Sequence, residues 1–367
     1  MGQCVLCGKT SNLVCKSLSV CLDCIRERFS SVSERIMGVH ADARVQFGLP
    51  VTPPQSIRGI SCTLCSNRCT MGEGERGYCG VRWNAGHRLE QRLGSLDWYY
   101  DPLPTNCVAD WICAGGSSSG FPEYSYSRGA EFGYKNLAVF YRACSLNCLF
   151  CQNWHFRQPT HHSPISPSEL AKAVDDTTSC ICYFGGDPTP QLPHAIETSR
   201  LAREQNPNRI LRICWETNGT MDKGSLESMI GLSLESGGCL KFDLKAFSPH
   251  VHVALCGVDN VRTLENFEYT ASFLRRRRDP PLLVASTLLV PGYVDLEEVR
   301  QIARFVAALD STIPYALLGF YPHFFMKDLP TTSRDHAQRA LSIAKKEGLV
   351  RARIGNSHLL SNAYECT

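Results

Sequence analysis

Three cysteines, Cys144, Cys148 and Cys151, follow one another at spacings of four and three in the stretch YRACSLNCLFCQNW, residues 141–154. One short loop can wrap three thiolates so spaced around a metal cluster. An iron-sulfur cube needs four ligands, so three cysteines leave one iron open to a ligand that is not protein, and that corner is where chemistry can occur. The apolar run at residues 136–140 reads as a buried strand feeding the loop, with Phe150 shielding the cluster from water. A structural zinc or iron knuckle would close with a fourth cysteine at similar spacing, whereas the next one here is Cys180.

Two further thiol sets precede this loop. Cys4 and Cys7 form one CxxC knuckle and Cys21 and Cys24 another, 13 residues apart, which lets two pairs close one tetrahedral site. Zinc and mononuclear iron both suit four thiolates. Cys15 is the spare and is expected as a small buried apolar residue. Beyond a proline-rich boundary at residues 49–54 come Cys62, Cys65, Cys69 and Cys79, within 18 residues and among Gly72, Gly74 and Gly77. They too suffice for a closed site, either a zinc or iron ion or an auxiliary iron-sulfur cluster. A structural role is favoured, since a fully ligated centre has no open position, with an electron relay as the alternative. Cys107 and Cys113 read either as buried thiols or as ligands to an iron or cobalt cofactor, ahead of a glycine- and serine-rich loop at residues 114–120.

The elements that must position these residues read as alternating strand and helix from Leu137 onward, the pattern of parallel βα units in an α/β fold. Ser166, Pro167 and Glu169 give a capped helix start. Strand ends fall at Gly185-Gly186-Asp187-Pro188, at Glu216-Thr217-Asn218-Gly219 and at Asp243-Leu244-Lys245, where the sites of parallel barrels lie. A strand at residues 282–290 with its amphipathic helix, and another at 316–323 ending in His323, continue the plan. A helix is expected over residues 31–43, and a last one over 334–347 stopping at Gly348. His358 reads as structural or functional alike, and the four arginines at residues 275–278 as the solvated end of a helix.

The 367 residues, 43% of them apolar, allow a large barrel with small satellites. A formal charge of +3 gives no field suited to nucleic acid. No run approaches the roughly twenty apolar residues that cross a bilayer, and no signal-like N-terminus is seen, so no membrane partner and a cytoplasmic location are expected. There 20 cysteines would stay reduced and serve metals. Four units are expected: a metal-binding module at 1–48, a second cysteine-rich module with its loop region at 49–135, a barrel core at 136–325, and a C-terminal helix and strand at 326–367.

The cysteine loop and the strand ends in this order resemble the radical S-adenosylmethionine superfamily, in its activase-like branch and the AmmeMemoRadiSam group. The resemblance covers roughly residues 60–358 and leaves out the Cys4–Cys24 module; Asp187 followed by proline departs from the commonest GGE form. It implies a full or partial TIM-type barrel and a [4Fe-4S] cluster on Cys144, Cys148 and Cys151. S-adenosylmethionine would chelate the fourth iron and be cleaved to a 5′-deoxyadenosyl radical. Gly185, Gly186 and Asp187 would receive its ammonium, Glu216 and Asn218 would line the pocket, Asp243 and Lys245 would lie at its carboxylate, and His323 would pack on the adenosyl group.

It further implies hydrogen abstraction from a peptide or protein substrate, with a ferredoxin- or flavodoxin-type protein as electron donor. Two outcomes compete: a glycyl radical left on a partner enzyme, or capture by a methyl donor. The latter is the reaction of the cobalamin-dependent glutamine C-methyltransferase of methyl-coenzyme M reductase. The cysteines and polar residues near Trp111 allow a cobalamin pocket, although no DxHxxG motif is present. A metal-stapled scaffold or an iron-sulfur electron carrier is the non-enzymatic alternative.

Overall fold

In a computed structural model, residues 1–105, 107–158 and 163–365 are described. The chain begins with a two-stranded ladder of β1 (Gly2–Gln3) and β2 (Thr10–Ser11), followed by α1 (Leu22–Glu27) and α2 (Phe29–Val45). The sequence predicts one helix over residues 31–43. The structure has two, because Cys21 starts a short helix that presents Cys24 inward and Arg28 breaks it from α2. Two small hairpins follow, β3 (Ile60–Ser61) with β4 (Thr70–Met71) and β5 (Arg82–Ala85) with β6 (Arg88–Gln91).

An eight-stranded sheet holds the rest. Its strands are β7 (Leu96–Pro102), β8 (Lys135–Tyr141), β9 (Thr178–Gly185), β10 (Arg212–Thr217), β11 (Leu240–Asp243), β12 (Leu283–Leu289), β13 (Tyr315–Gly319) and β14 (Ala352–Gly355). They lie side by side in chain order; β7 runs antiparallel to β8, and all later pairs are parallel. Among the described residues no ladder joins β14 to β7, so the α/β fold is an open, partial barrel. Its helices are α3 (Pro167–Ala171), α4 (Leu192–Gln205), α5 (Lys223–Ser236), α6 (Pro249–Cys256), α7 (Val261–Ala271), α8 (Leu296–Leu309) and α9 (Arg334–Lys346).

Parallel strands covered on both faces bury nearly every residue, as β12 does. In β9 the alternation sorts the faces: the Tyr183 hydroxyl meets Ser199 on α4 at 2.8 Å, while Cys180 and Cys182 point into the barrel. Helix starts follow local chemistry. Ser166 and Glu169 form a reciprocal capping box at α3, and Asp295 accepts from the backbone N–H of Glu297 and Glu298 at α8. The four arginines do not all end in solvent. Arg277 is buried, and its guanidinium donates to the carbonyls of Ser233 and Gly238 where α5 ends.

The N-terminal module is not free-standing: Val14, Leu18, Val32 and Ile36 join the same buried cluster as the barrel strands. Arg26 grips Asp295 with two bonds of 2.7 Å and reaches Glu298 at 2.9 Å, and the Tyr293 hydroxyl accepts from the Cys15 N–H at 3.0 Å. Cys15 is fully buried.

Candidate active site and thiol clusters

At the carboxyl ends of β8 to β13 lies a cleft of about 260 Å³. Cys144, Cys148, Cys151, Gly185, Gly186, Asp187, Glu216, Asn218, Asp243 and Lys245 all line it. His323 does not; it follows β13, with its ring 5.3 Å from that of Tyr321. The β13 contribution is instead Leu318.

The cysteine loop is held from below. Asn147, fully buried, has its N–H bonded to the Cys256 carbonyl at 2.8 Å, and the Leu149 N–H donates to Leu255 at 2.9 Å, both at the end of α6. Its side chain reaches His40 of α2: Asn147 Nδ2 lies 3.1 Å from His40 Nδ1. His40 Nε2 sits between the carbonyls of Val253 and Ala254, at 3.0 and 3.2 Å, so that nitrogen carries the proton and Nδ1 accepts. Burial pushes His40 down to about 4, which keeps it neutral. Neither His40 nor Asn147 carries a motif that would single it out; the pair exists only because α2 and α6 flank the loop.

Above the loop, Asn218 donates to Ser145 Oγ at 2.9 Å and lies 3.7 Å from Cys144 Sγ. Asp187 is buried, and its carboxylate accepts from the N–H groups of Asn218 and Thr189 at 2.6 and 2.7 Å. Asp187 thus ties the β9 turn to the β10 turn while lining the cleft. Gly186 must be glycine: a Cβ there would lie 2.2 Å from the Ala143 carbonyl oxygen.

Opposite the thiols stands an alternating charge ladder. Glu216 pairs with Lys241 at 2.7 Å, Lys241 approaches Asp243 at 3.5 Å, and Asp243 pairs with Lys245 at 2.8 Å and accepts from Ser286 at 2.6 Å. Burial alone would raise the Asp243 carboxyl, but Lys241 and Lys245 hold it well below its usual range. Lys241 is the residue that sequence reasoning passed over. Its signal was available, since Lys241 and Asp243 alternate onto one face of the strand.

The donor set fits a metal cluster. Burial raises the thiols of Cys144 and Cys151, and a hydrogen bond with Cys256 leads the rise at Cys148, so these thiols keep their protons unless a bound metal displaces them. Arg157 also lines the cleft, is buried, and has one nitrogen, Nη1, without a hydrogen-bond partner. A buried guanidinium N–H of this kind is costly unless a further acceptor arrives.

The other thiols separate by geometry. Cys4, Cys7, Cys21 and Cys24 have sulfurs all within 4.8 Å of one another, the reach of one ion; among the described residues no other such group of three or more occurs. Cys62, Cys65, Cys69 and Cys79 line a common cavity. Cys107 and Cys113 join Cys180, Cys182, Cys214 and Cys239 around a cavity of about 50 Å³ inside the barrel, with Cys107 Sγ 3.2 Å from Glu216. Beside that cavity the buried Arg212–Glu131 pair closes at 2.6 Å.

An open parallel barrel with a three-cysteine loop at its carboxyl face defines a class, and the radical SAM superfamily profile matches residues 138–306. Over those residues the chain is similar to radical SAM enzymes. An uncharacterised protein of Methanocaldococcus jannaschii is 25% identical over 318 residues, 83% of this chain and 84% of that protein. The isethionate sulfite-lyase activating enzyme of Desulfovibrio desulfuricans is 31% identical over 154 residues, 40% of this chain and 45% of that enzyme. A radical SAM methyltransferase structure from Sphaerobacter thermophilus is 16% identical, over 60% of this chain and 66% of that one, with a TM-score of 0.45. No helix is long and apolar enough to cross a membrane among the described residues.

Proposed function

We propose that this protein reductively cleaves S-adenosylmethionine and uses the resulting radical to abstract hydrogen from a peptide or protein substrate, leading to its modification. The observation that carries the reading is the meeting of three cysteines, an unsatisfied Arg157 N–H and the Asp243–Lys245 pair in one cleft. Cys144, Cys148 and Cys151 would hold a [4Fe-4S] cluster, which when reduced would supply the electron for cleavage. The Gly185 and Gly186 backbone would take the cosubstrate's ammonium, and Lys245 its carboxylate as a fixed cation. Asn218, bonded to Ser145, keeps the loop in register, and Phe150 and Leu146 limit water at the thiols. Such residues act by holding reacting atoms at fixed separation.

The activating-enzyme relatives favour a macromolecular substrate, and a ferredoxin- or flavodoxin-type protein would be the electron donor. The finer alternatives are cobalamin-dependent C-methylation and glycyl-radical activation. The test is anaerobic reconstitution, reduction with dithionite and assay of 5′-deoxyadenosine; none formed above the Cys144→Ala/Cys148→Ala/Cys151→Ala background sinks the reading. Bound corrinoid in the visible spectrum of the purified protein selects methylation. A glycyl radical on a partner selects activation.

A further inference from the structure

Zinc or iron bound by four thiolates at about 2.3 Å places its sulfurs about 3.8 Å apart. The first set matches: Cys7 Sγ and Cys21 Sγ are 3.6 Å apart and all four lie within 4.8 Å. A cubane spreads its cysteines more widely, because each sulfur binds a different iron. The barrel triad does not draw together to the spacing of an ion site, and neither do Cys62, Cys65, Cys69 and Cys79, although these four share one cavity.

A second likeness is independent of sulfur spacing. In the barrel cleft the buried Arg157 keeps an unpartnered Nη1; in the cavity of the second set Arg82, 6% exposed, keeps an unpartnered Nε. Each is a cationic donor beside a group of thiols, as an anionic cluster with bridging sulfides would require. The Tyr78 N–H already points to Cys69 Sγ at 3.3 Å. A Cβ on Gly77 would come 3.2 Å from Met71 Sδ and 3.8 Å from Cys69 Sγ, so this glycine lets the backbone close on the cavity.

The second set is also joined to the barrel triad. Ser66 N–H donates to the Thr220 carbonyl at 2.9 Å, and Asn67 Nδ2 donates to the carbonyl of Ser145, the residue after Cys144, at 2.7 Å. The Arg44 guanidinium, donating to the Tyr78 carbonyl, lies within electrostatic reach of both Cys79 and Cys144. Each set has one buried cysteine, Cys69 in the second set and Cys148 in the barrel triad, and the rest of both sets are partly exposed.

We propose that Cys62, Cys65, Cys69 and Cys79 hold a second [4Fe-4S] cluster that relays electrons to the barrel cluster. One electron from a reduced ferredoxin- or flavodoxin-class donor takes the second cluster from the 2+ to the 1+ state. It then passes to the barrel cluster, returning the second to 2+, with no proton or bond change. The relay rests on the reading of the barrel site given above; the cluster itself does not.

The test counts acid-labile sulfide, which a mononuclear ion lacks. After anaerobic reconstitution, the Cys144→Ala/Cys148→Ala/Cys151→Ala variant should retain about four sulfides per chain and a reducible EPR signal. A sulfide count at blank overturns the site. On the intact chain the count should be about eight rather than about four, a reading that does not depend on how the variant folds. For the relay, a Cys65→Ala/Cys79→Ala variant should cleave S-adenosylmethionine at the normal rate with photoreduced deazaflavin, a small donor that reaches the barrel cluster directly. With reduced ferredoxin it should be slower by at least about tenfold. Equal rates with ferredoxin, or loss with both donors, overturn the relay while leaving the sulfide count to stand.

Discussion

The Cys4–Cys24 module and the barrel triad present the same ligand type in opposite arrangements. In the module four sulfurs converge within 4.8 Å of one another, the reach of one ion. In the barrel three sulfurs line a cleft shared with an unsatisfied guanidinium and a charge ladder. A completed shell stabilises a fold; an incomplete one leaves room for a reactant. The two sites are coupled, because α2, which follows the module, contributes His40 to the cysteine loop.

The largest expected effect breaks the open site alone. Cys148→Ala should reduce 5′-deoxyadenosine formation to background while leaving the ion of the N-terminal module in place, as read by metal analysis. Breaking the closed site should do the converse. Cys21→Ser, or chelation, should lower the melting temperature by about 5 °C or more, because ion-binding energy there is folding energy. Iron and sulfide on the barrel triad should remain.

A third measurement probes the coupling. His40 has its ordinary value near 6.5 lowered to about 4 in the fold, so between those pH values the unfolded chain binds more protons. Its contribution is complete above about pH 6.5 and is lost as pH falls toward 4, amounting to about 3 kcal/mol at most. His40→Gln should flatten that part of the curve of stability against pH; an unchanged slope would show that α2 does not buttress the loop through this ring. His252 and His336, lowered to about 4, and His194, also lowered by burial, contribute to the same slope.

Smaller effects sharpen the account of the cleft. Asn218→Ala removes the donor to Ser145 and should cost about 1–3 kcal/mol in stability, seen in denaturant midpoints. Arg157→Lys keeps the charge but loses the fork, and should raise the KM for S-adenosylmethionine by about tenfold, or about 1.4 kcal/mol, with little change in stability. An unchanged KM would mean that the unpartnered Nη1 does not face a ligand.

Much of this molecule is written locally. The spacing of Cys144, Cys148 and Cys151, the CxxC pairs, the capping box at Ser166 and the strand endings at Gly185, Thr217 and Asp243 each depend on a few neighbouring residues, and short-range chemistry makes them readable. Parallel βα alternation follows from the same local patterns. The break at Arg28 that divides α1 from α2 and the burial of Arg277 were not readable, since each is decided by what packs against the segment.

Only the tertiary structure decided whether the sheet closes, which thiol sets are drawn tight, and which residues stand behind the cluster loop. The sequence alone determined the candidate thiols and their order. Spacing along a chain limits how near two sulfurs can come but not how near they do come, and that separation depends on contacts between segments distant in sequence, such as Asn67 with Ser145 and His40 with Asn147. Lys241 lies between these cases: alternation assigns its face, but its place between Glu216 and Asp243 follows from the pairing of β10 with β11.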